Sequence, residues 1–150
     1  CRSKTQNSVS YARNDAANLP FRDDSFEFVY SIRVMNQLPS RDHALNAIRE
    51  MIRVCATNGT VLVEFVNKNS VTRTTNTDAV FLTPDLVRKT VEEIENAEVV
   101  NLSGILLFSQ TILNRTPVPL LPIFETIDTT LSNILPQYTT RCYAYIKLNG

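Results

Sequence analysis

Two continuous apolar runs flank an amphipathic helical stripe in the middle of the chain. Phe26–Tyr30 and Thr60–Val66 are apolar at nearly every position, which is typical of parallel strands that are buried on both faces. Ser40 is the expected N-cap of the intervening helix, and Asn58-Gly59 is expected to turn the chain into the next strand through a left-handed conformation. Strand, helix and strand together predict a right-handed βαβ unit. The apolar stripe of the helix consists of Ala44, Leu45, Ile48, Met51, Ile52 and Cys55.

The same kinds of pattern predict further elements on either side of this unit. Alternating residues indicate strands, a Pro after a Thr cap indicates a helix start, and apolar residues three or four apart indicate helices. Because strand follows strand at the end of a chain that alternates strand and helix before, we expect an antiparallel hairpin at the edge of the sheet. The predicted elements are a strand at Val9–Arg13, a helix from Thr83-Pro84 to Asn96, a strand at Glu98–Leu102, a helix over Phe124–Ile134 and a closing strand at Arg141–Leu148.

Composition restricts the classes of partner. The chain has 150 residues, and its 15 basic and 15 acidic residues give a net charge of zero. A neutral chain provides no field that would recruit nucleic acid or an anionic membrane, so we expect neither partner. The apolar runs are far shorter than the roughly 20 residues that span a bilayer, so no transmembrane segment is predicted. Because no basic and apolar signal segment opens the chain, the expected location is cytoplasmic.

Metal and acid–base chemistry have few candidates. The chain contains one histidine and three cysteines, and the cysteines lack the spacing of a metal site, so no metal centre is predicted. His43 falls on the polar face of its helix and is expected to be a surface residue. Glu64 lies inside a predicted strand, where a buried carboxylate needs a partner that the sequence does not identify.

A series of short motifs between residues 14 and 67 resembles a known family. Asp15-Ala16 is followed by Leu19-Pro20-Phe21, then by Asp24-Ser25-Phe26, and later by Arg53-Val54 ahead of Asn58-Gly59. Class I S-adenosylmethionine-dependent methyltransferases of the type 11 (ubiquinone/menaquinone-biosynthesis-like) family usually carry Gly-Asp-Ala, Leu-Pro-Phe, Ser-Phe-Asp and Arg-Val-Leu-Lys-Pro-Gly-Gly in this order. The ordered series, rather than any single motif, makes the chain similar to that family.

The resemblance implies positions for the cofactor, S-adenosylmethionine. Asp15 would accept a hydrogen bond from the adenine amino group, and the backbone N–H of Ala16 would donate to a ring nitrogen. The backbone at Ser31 would face the methionine part. Just beyond this serine, relatives often carry histidines and other substrate-facing side chains, whereas this chain has different polar residues there. The catalytic candidates are therefore Arg33, Asn36 and Gln37, and the resemblance identifies no general base.

For the fold, the resemblance implies an α/β, Rossmann-like sheet with helices on both faces, a strand order of 3-2-1-4-5-7-6 in the family's count, and a C-terminal antiparallel hairpin. The chain contains three glycines and no Gly-x-Gly loop, which the family uses to grip the cofactor after its first strand. We therefore expect residues 1–150 to be a partial, N-terminally truncated methyltransferase domain with the first two strands absent. An apolar stretch within residues 105–136 matches the place where relatives carry a substrate-side insertion.

The function implied by the resemblance is methyl transfer by in-line displacement to a small, apolar or amphipathic acceptor. Such a reaction requires alignment and exclusion of water more than it requires reactive side chains, so the lack of a catalytic triad does not argue against it. The alternative hypothesis is a methyltransferase-like, non-catalytic interaction module that has lost the cofactor loop. Because the expected truncation removes part of the sheet, the isolated 150 residues are expected to be inactive.

Overall fold

The computed structural model describes residues 12–70, 79–105 and 117–150, in which four strands form a mixed sheet. The strands are β1 (Phe26–Ser31), β2 (Cys55–Val66), β3 (Ala97–Ile105) and β4 (Arg141–Leu148), and their order in the sheet is β1-β2-β4-β3. β1 and β2 are parallel, and β4 is antiparallel to both β2 and β3. This arrangement reproduces the 4-5-7-6 end of the expected strand order and confirms the α/β fold.

Two helices begin where the sequence predicts caps. α1 (Arg41–Val54) follows Ser40, whose side chain accepts a backbone N–H of the first turn at 3.1 Å. α2 (Pro84–Glu92) follows Thr83, whose side chain accepts a first-turn N–H at 3.2 Å. Each cap satisfies an N–H that the helix itself leaves unpaired. Because α1 connects the parallel strands β1 and β2, the predicted βαβ unit is confirmed.

The ends of the remaining helices agree with the predictions only in part. α3 (Leu121–Ile134) ends ahead of Pro136 as predicted, whereas α2 stops at Glu92 and does not continue to Asn96. A proline cannot continue a helix, which accounts for the end of α3. The shorter 3₁₀ helices of the described residues are Met35–Gln37, Val118–Leu120 and Pro136–Tyr138.

The junction between α1 and β2 differs from the expectation. β2 begins at Cys55, directly after α1, although the apolar pattern assigns Cys55 to the helix. The left-handed residue is Asn58 (φ 64°), which lies inside β2 where the pairing with β1 shifts register, and Gly59 has no positive φ. A Cβ at Gly59 would lie 2.9 Å from the Glu27 carbonyl oxygen. Close approach of two backbones, and not backbone handedness, therefore requires the glycine.

One face of the sheet forms the core. Val61, Val63 and Phe65 alternate along β2 and are at most 1% exposed. Their cross-strand neighbours on β4, Ile146 and Ala144, are buried as well. α1 and α2 contribute their apolar faces to the same cluster. Side chains of one strand alternate between the two faces, so this core lies on the side that α1 and α2 cover.

The opposite face of β1 is open in the described part of the chain. Phe28 and Tyr30 are 54% and 63% exposed, and their rings stack with centroids 5.7 Å apart. The prediction that Phe26–Tyr30 is buried on both faces is therefore wrong for the described residues. The reason is tertiary, because β1 is an edge strand here and pairs with β2 alone among the described strands.

The C-terminal part of the sheet has the predicted antiparallel pairing. β4 covers Arg141–Leu148 as predicted and pairs with β3 in antiparallel register. It lies between β2 and β3, however, so that β3 and not β4 forms this edge of the sheet. Of the expected insertion over residues 105–136, residues 106–116 lie outside the described residues, and α3 contacts β3. The substrate-side role of this stretch stays a prediction.

The carboxyl ends of β1, β2 and β3 lie at the same edge of the sheet. Val66 of β2 and Ile105 of β3 both pair with Arg141 of β4, and Ser31 ends the parallel strand β1 at the same side. In open α/β sheets, ligands bind beyond the carboxyl ends of the parallel strands. Of the predicted strand Val9–Arg13, residues 9–11 lie outside the described residues, and residues 12 and 13 belong to no strand.

Candidate functional site

A cavity of about 560 Å³ lies between the loop of residues 15–21, β1 and α1. Ala16 and Leu19 line it from the loop, Ser31 lines it from the end of β1, and Met51 lines it from α1. Its volume falls within the roughly 300–1,000 Å³ that is usual for small-molecule sites. The fold thus brings Ala16 and Ser31, which are separated along the chain, to the wall of one cavity.

Ser31 has a hydroxyl group without a partner. The residue is 8% exposed, and its Oγ has no hydrogen-bond partner among the described residues. A buried polar group left unsatisfied costs about 1–3 kcal/mol. Ser31 also lines the cavity, but its Oγ is itself shielded from solvent, so the cavity does not by itself supply this hydroxyl with a partner.

The Asp15 carboxylate is fixed by two donors. Its Oδ1 accepts the backbone N–H of Ala17 at 2.9 Å and the Nε2–H of His43 at 2.7 Å. The Ala17 N–H is the main cause that holds the pKa of Asp15 below its usual value; desolvation opposes it, and the bond and charge of His43 add to the lowering. Asp15 is therefore ionised at neutral pH and acts only as an acceptor.

His43 is not the isolated surface residue that its helix face predicts. Its side chain is 27% exposed and pairs with Asp15, which lies 28 positions earlier in the chain. Nothing in the spacing of either residue indicates this contact, because it depends on how the loop packs on the first turn of α1. The sequence pattern therefore could not predict the contact between His43 and Asp15.

Further along α1, two charged residues hold the same loop. Glu50 accepts the Leu19 N–H at 2.8 Å, and Arg53 donates to the carbonyl oxygens of Leu19 at 3.0 Å and Phe21 at 2.9 Å. Arg53 also bonds Glu50 at 2.8 Å, and this bond is the main reason that the pKa of Glu50 is lowered and that of Arg53 is raised. α1 therefore positions the loop that forms one wall of the cavity.

A buried carboxylate anchors the segment after β1. Glu64 of β2 has a side chain only 1% exposed, and its two oxygens bond the Arg141 guanidinium and the backbone N–H of Arg33. Arg33 has a left-handed backbone (φ 60°). Beside this group, burial and the Glu64 charge raise the pKa of Tyr143. The structure thus supplies the partner that Glu64 needs, and Arg33 contributes its backbone to the anchor while its side chain is exposed.

The other catalytic candidates lie in the short 3₁₀ helix Met35–Gln37. Met35 is 2% exposed and packs into the core, which fixes the helix. Asn36 is half-buried and Gln37 is exposed. Neither side chain forms a hydrogen bond with any residue that the structure describes, so both are free to contact a substrate. Their catalytic role stays a prediction.

Residues 12–70, 79–105 and 117–150 contain neither a cluster of metal ligands nor a helix of membrane-spanning length. In these ranges no group of three or more His, Cys, Asp or Glu side chains is arranged to hold a metal ion. Cys55 and Cys142 are buried free thiols, and burial raises the pKa of Cys142 to about 11. Within the same ranges, no helix is both long and apolar enough to cross a membrane.

Sequence comparison finds a match in the first part of the chain. Residues 1–63 match a family described as a methyltransferase domain. A mouse protein named "Probable tRNA methyltransferase 9B" is 39% identical over 49 residues, which cover 33% of this chain and 11% of the mouse protein. The human protein of the same name is 37% identical over 49 residues. The chain thus corresponds to a small part of these curated relatives.

Comparison with solved structures extends over most of the chain. A Thermotoga maritima protein described as a "SAM-dependent methyltransferase, possible histamine N-methyltransferase" has a TM-score of 0.59 at 16% identity, covering 90% of this chain and 61% of that one. The [4+2]-cyclase SpnF has a TM-score of 0.57 at 14% identity, covering 92% and 55%. At such identities the likeness shows the fold and not the reaction.

Proposed function

We propose that the protein transfers a methyl group from S-adenosylmethionine to an acceptor, because residues 1–63 match the methyltransferase-domain family and the sheet has the fold of solved class I S-adenosylmethionine-dependent methyltransferases. The observation that supports the proposal is the cavity wall shared by Ala16 and Ser31, with Asp15 next to Ala16 in the same loop. Ligand sites of this fold class lie at the carboxyl edge of the sheet, where Ser31 ends β1.

The residues of the cavity suit an adenosyl sulfonium compound. Asp15 supplies an ionised acceptor for the adenine amino group, and the small side chain of Ala16 lets the base approach its backbone N–H. At Ser31, which lines the cavity, the backbone faces the methionine part. The cavity also extends along β1 past Phe28 and Tyr30, where the proposal below places additional strands, so the part that the proposal assigns to the cofactor is the part next to Ala16 and Ser31.

Catalysis in this proposal depends on placement. When bound, the cofactor supplies a methyl group that is already activated by its positive sulfur. Leu19 and Met51 line the cavity with apolar groups that exclude water, and the segment after Ser31 presents Asn36 and Gln37 toward the acceptor. Alignment of reacting groups alone supplies a large part of a rate enhancement, so no dedicated base is assigned.

The first prediction concerns Asp15. Asp15→Ala removes the acceptor for the adenine amino group, and we expect the dissociation constant for S-adenosylhomocysteine to increase about tenfold to hundredfold. Isothermal titration calorimetry on the complete protein measures this constant directly. Asp85→Ala is the matched control, because Asp85 is an exposed aspartate in the first turn of α2 that lines a different cavity. Equal affinity of the Asp15 variant and the unaltered protein would contradict the assignment.

The proposal also includes strands from outside the described residues that complete the sheet next to β1. The outer edge of β1 has no partner strand in the described ranges, and Phe28 and Tyr30 are exposed there. An apolar edge strand with unpaired N–H and C=O groups is unfavourable unless something covers it. The glycine-rich loop that the family uses to hold the cofactor would belong to these additional strands.

The second prediction tests this completion. We expect the 150 residues alone to melt without cooperativity and to bind no S-adenosylhomocysteine, because in this proposal the additional strands complete both the sheet and the cofactor site. A longer chain with an upstream strand and glycine-rich loop is expected to melt cooperatively and to bind at micromolar concentration. Differential scanning calorimetry and titration of both chains make the comparison. A cooperative melt with micromolar binding by the 150 residues alone would refute the completion and leave the methyl-transfer proposal standing.

For the acceptor, we favour a small apolar or amphipathic molecule, on the basis of the apolar composition around residues 105–136. The similarity to a protein named as a tRNA methyltransferase favours a second candidate, a nucleic acid acceptor. Net neutrality of the chain argues against the second candidate without a basic partner. The experiment measures the transfer of a radioactive methyl group into the RNA fraction and into the organic extract of a cell lysate. Label in the RNA fraction supports the nucleic acid acceptor, and label in the organic extract supports the small acceptor.

A non-catalytic interaction module remains the alternative to an enzyme. A fold by itself does not determine a reaction, so the fold is compatible with a binding role. A protein that binds the cofactor but transfers no methyl group to either fraction would favour the module.

A further inference from the structure

The Asp15 carboxylate is held on one oxygen only. Both of its donors, the Ala17 N–H and the His43 Nε2–H, reach Oδ1. Among residues 12–70, 79–105 and 117–150, no donor bonds Oδ2. A carboxylate can accept about four hydrogen bonds, so two donors on Oδ1 leave Oδ2 with its full capacity. The carboxylate is therefore held in one orientation, and its Oδ2 remains available to accept a hydrogen bond from a further donor.

His43 is the rigid member of this arrangement. It lies in the first turn of α1, and its own backbone N–H is bonded to the Ser40 side chain at 3.1 Å. Asp15 lies in a loop that is supported locally by an isolated bridge to Asn18. The terminal torsion of an Asp side chain is broad. The Ala17 N–H alone would leave the carboxylate free to rotate, and the bond to the helix-mounted imidazole stops this rotation.

From this geometry we infer that His43 is a positioning residue that makes the site selective for a 6-aminopurine over a 6-oxopurine. The inference rests on the proposed function, since it takes the adenine of the cofactor as the group that Asp15 recognises. An amino group donates to the available Oδ2, whereas a 6-oxo group presents lone pairs to it and is repelled. The selectivity depends on a fixed orientation, because a freely rotating carboxylate adapts to either ring at lower cost.

The experiment compares two ligands on the complete protein. S-adenosylhomocysteine and S-inosylhomocysteine differ at the purine 6 position, and calorimetry gives a dissociation constant for each. The unaltered protein is expected to favour the adenosyl form by at least about tenfold, since a site built to accept a hydrogen bond rejects an analogue that lacks the donor. In His43→Ala this ratio is expected to fall severalfold, with little change in the constant for the inosyl form.

Two further variants separate positioning from a general structural role. His43→Gln places an N–H donor at a similar reach and is expected to restore most of the ratio. Asn46→Ala, one turn along α1, removes an exposed side chain whose contact in the structure is with Arg49, and is expected to leave the ratio unchanged. A loss of stability alone would weaken both ligands equally and would leave their ratio intact.

The outcomes are distinct. A smaller ratio in His43→Ala that His43→Gln restores supports the inference. An unchanged ratio in His43→Ala, or an equal loss for both ligands, overturns it and leaves the methyl-transfer proposal untouched. If the unaltered protein binds neither ligand, the cofactor assignment itself fails, and the inference fails with it. If His43→Ala does not fold, His43→Leu replaces it as a variant that fills similar space without a donor: a ratio lower than that of His43→Gln supports positioning, and equal ratios overturn it.

Discussion

Replacing Glu64 with alanine is expected to lower the free energy of unfolding by about 3–5 kcal/mol, the usual cost of removing one partner from a buried ion pair. Glu64 is 1% exposed at its side chain and is bonded to the Arg141 guanidinium and to the Arg33 N–H. Without the carboxylate, a largely buried positive charge and a backbone donor both lose their acceptor. Such groups cost more when unpaired than the pair contributes when intact.

Urea unfolding of the complete protein, followed by circular dichroism, measures this loss. Glu98→Ala is the matched control, because Glu98 is an exposed strand glutamate on β3, and we expect it to change the free energy by less than about 0.5 kcal/mol. A double replacement, Glu64→Leu with Arg141→Met, removes both charges and is expected to recover much of the loss. A single Glu64→Ala effect no larger than that of the control would show that the pair contributes nothing.

The other large effect is expected on binding. Ala16→Leu adds three carbons to a half-buried position on the cavity wall, and we expect it to weaken S-adenosylhomocysteine binding by at least about a hundredfold. The added side chain occupies the space into which the base must fit. Because it fills an apolar hollow, the melting temperature is expected to stay constant or to rise.

Ala17→Leu makes this prediction specific. Ala17 is the next residue and is equally half-buried, but it does not line the cavity. Its backbone N–H, which bonds Asp15, is kept in the variant. The two variants are therefore a matched pair, and titration calorimetry and thermal melts are measured on both. Equal affinities of the two variants for the ligand would show that the cavity is not the cofactor site.

Most of the local structure was predictable from residue patterns. Ser40 and Thr83 cap their helices as their residue types indicate, and β4 has the predicted bounds. These features depend on neighbours within a few positions, so a linear pattern contains the necessary information. The ordered motifs from Asp15 to Gly59 also predicted the fold. The observed strand order agrees with the order that the resemblance implies.

The contacts that build the site were not predictable in the same way. His43 meets Asp15 across 28 positions, Arg53 reaches Leu19 across 34, and Arg141 reaches Glu64 across 77. Each contact joins an element to a loop or to a distant strand. Polar spacing along one helix cannot identify a partner that belongs to another element.

By itself, the sequence determined the type and order of the helices and strands, because these depend on short-range backbone preferences. It also identified Asp15 and Ala16 as the start of the loop, because they belong to an ordered series of motifs. Only the tertiary structure decided which charges pair and which side of β1 is covered. Phe28 and Tyr30 have the pattern of buried residues, yet they are exposed because the described sheet ends at β1. Burial is a property of the assembled sheet, since it depends on what packs against a strand as well as on what the strand contains.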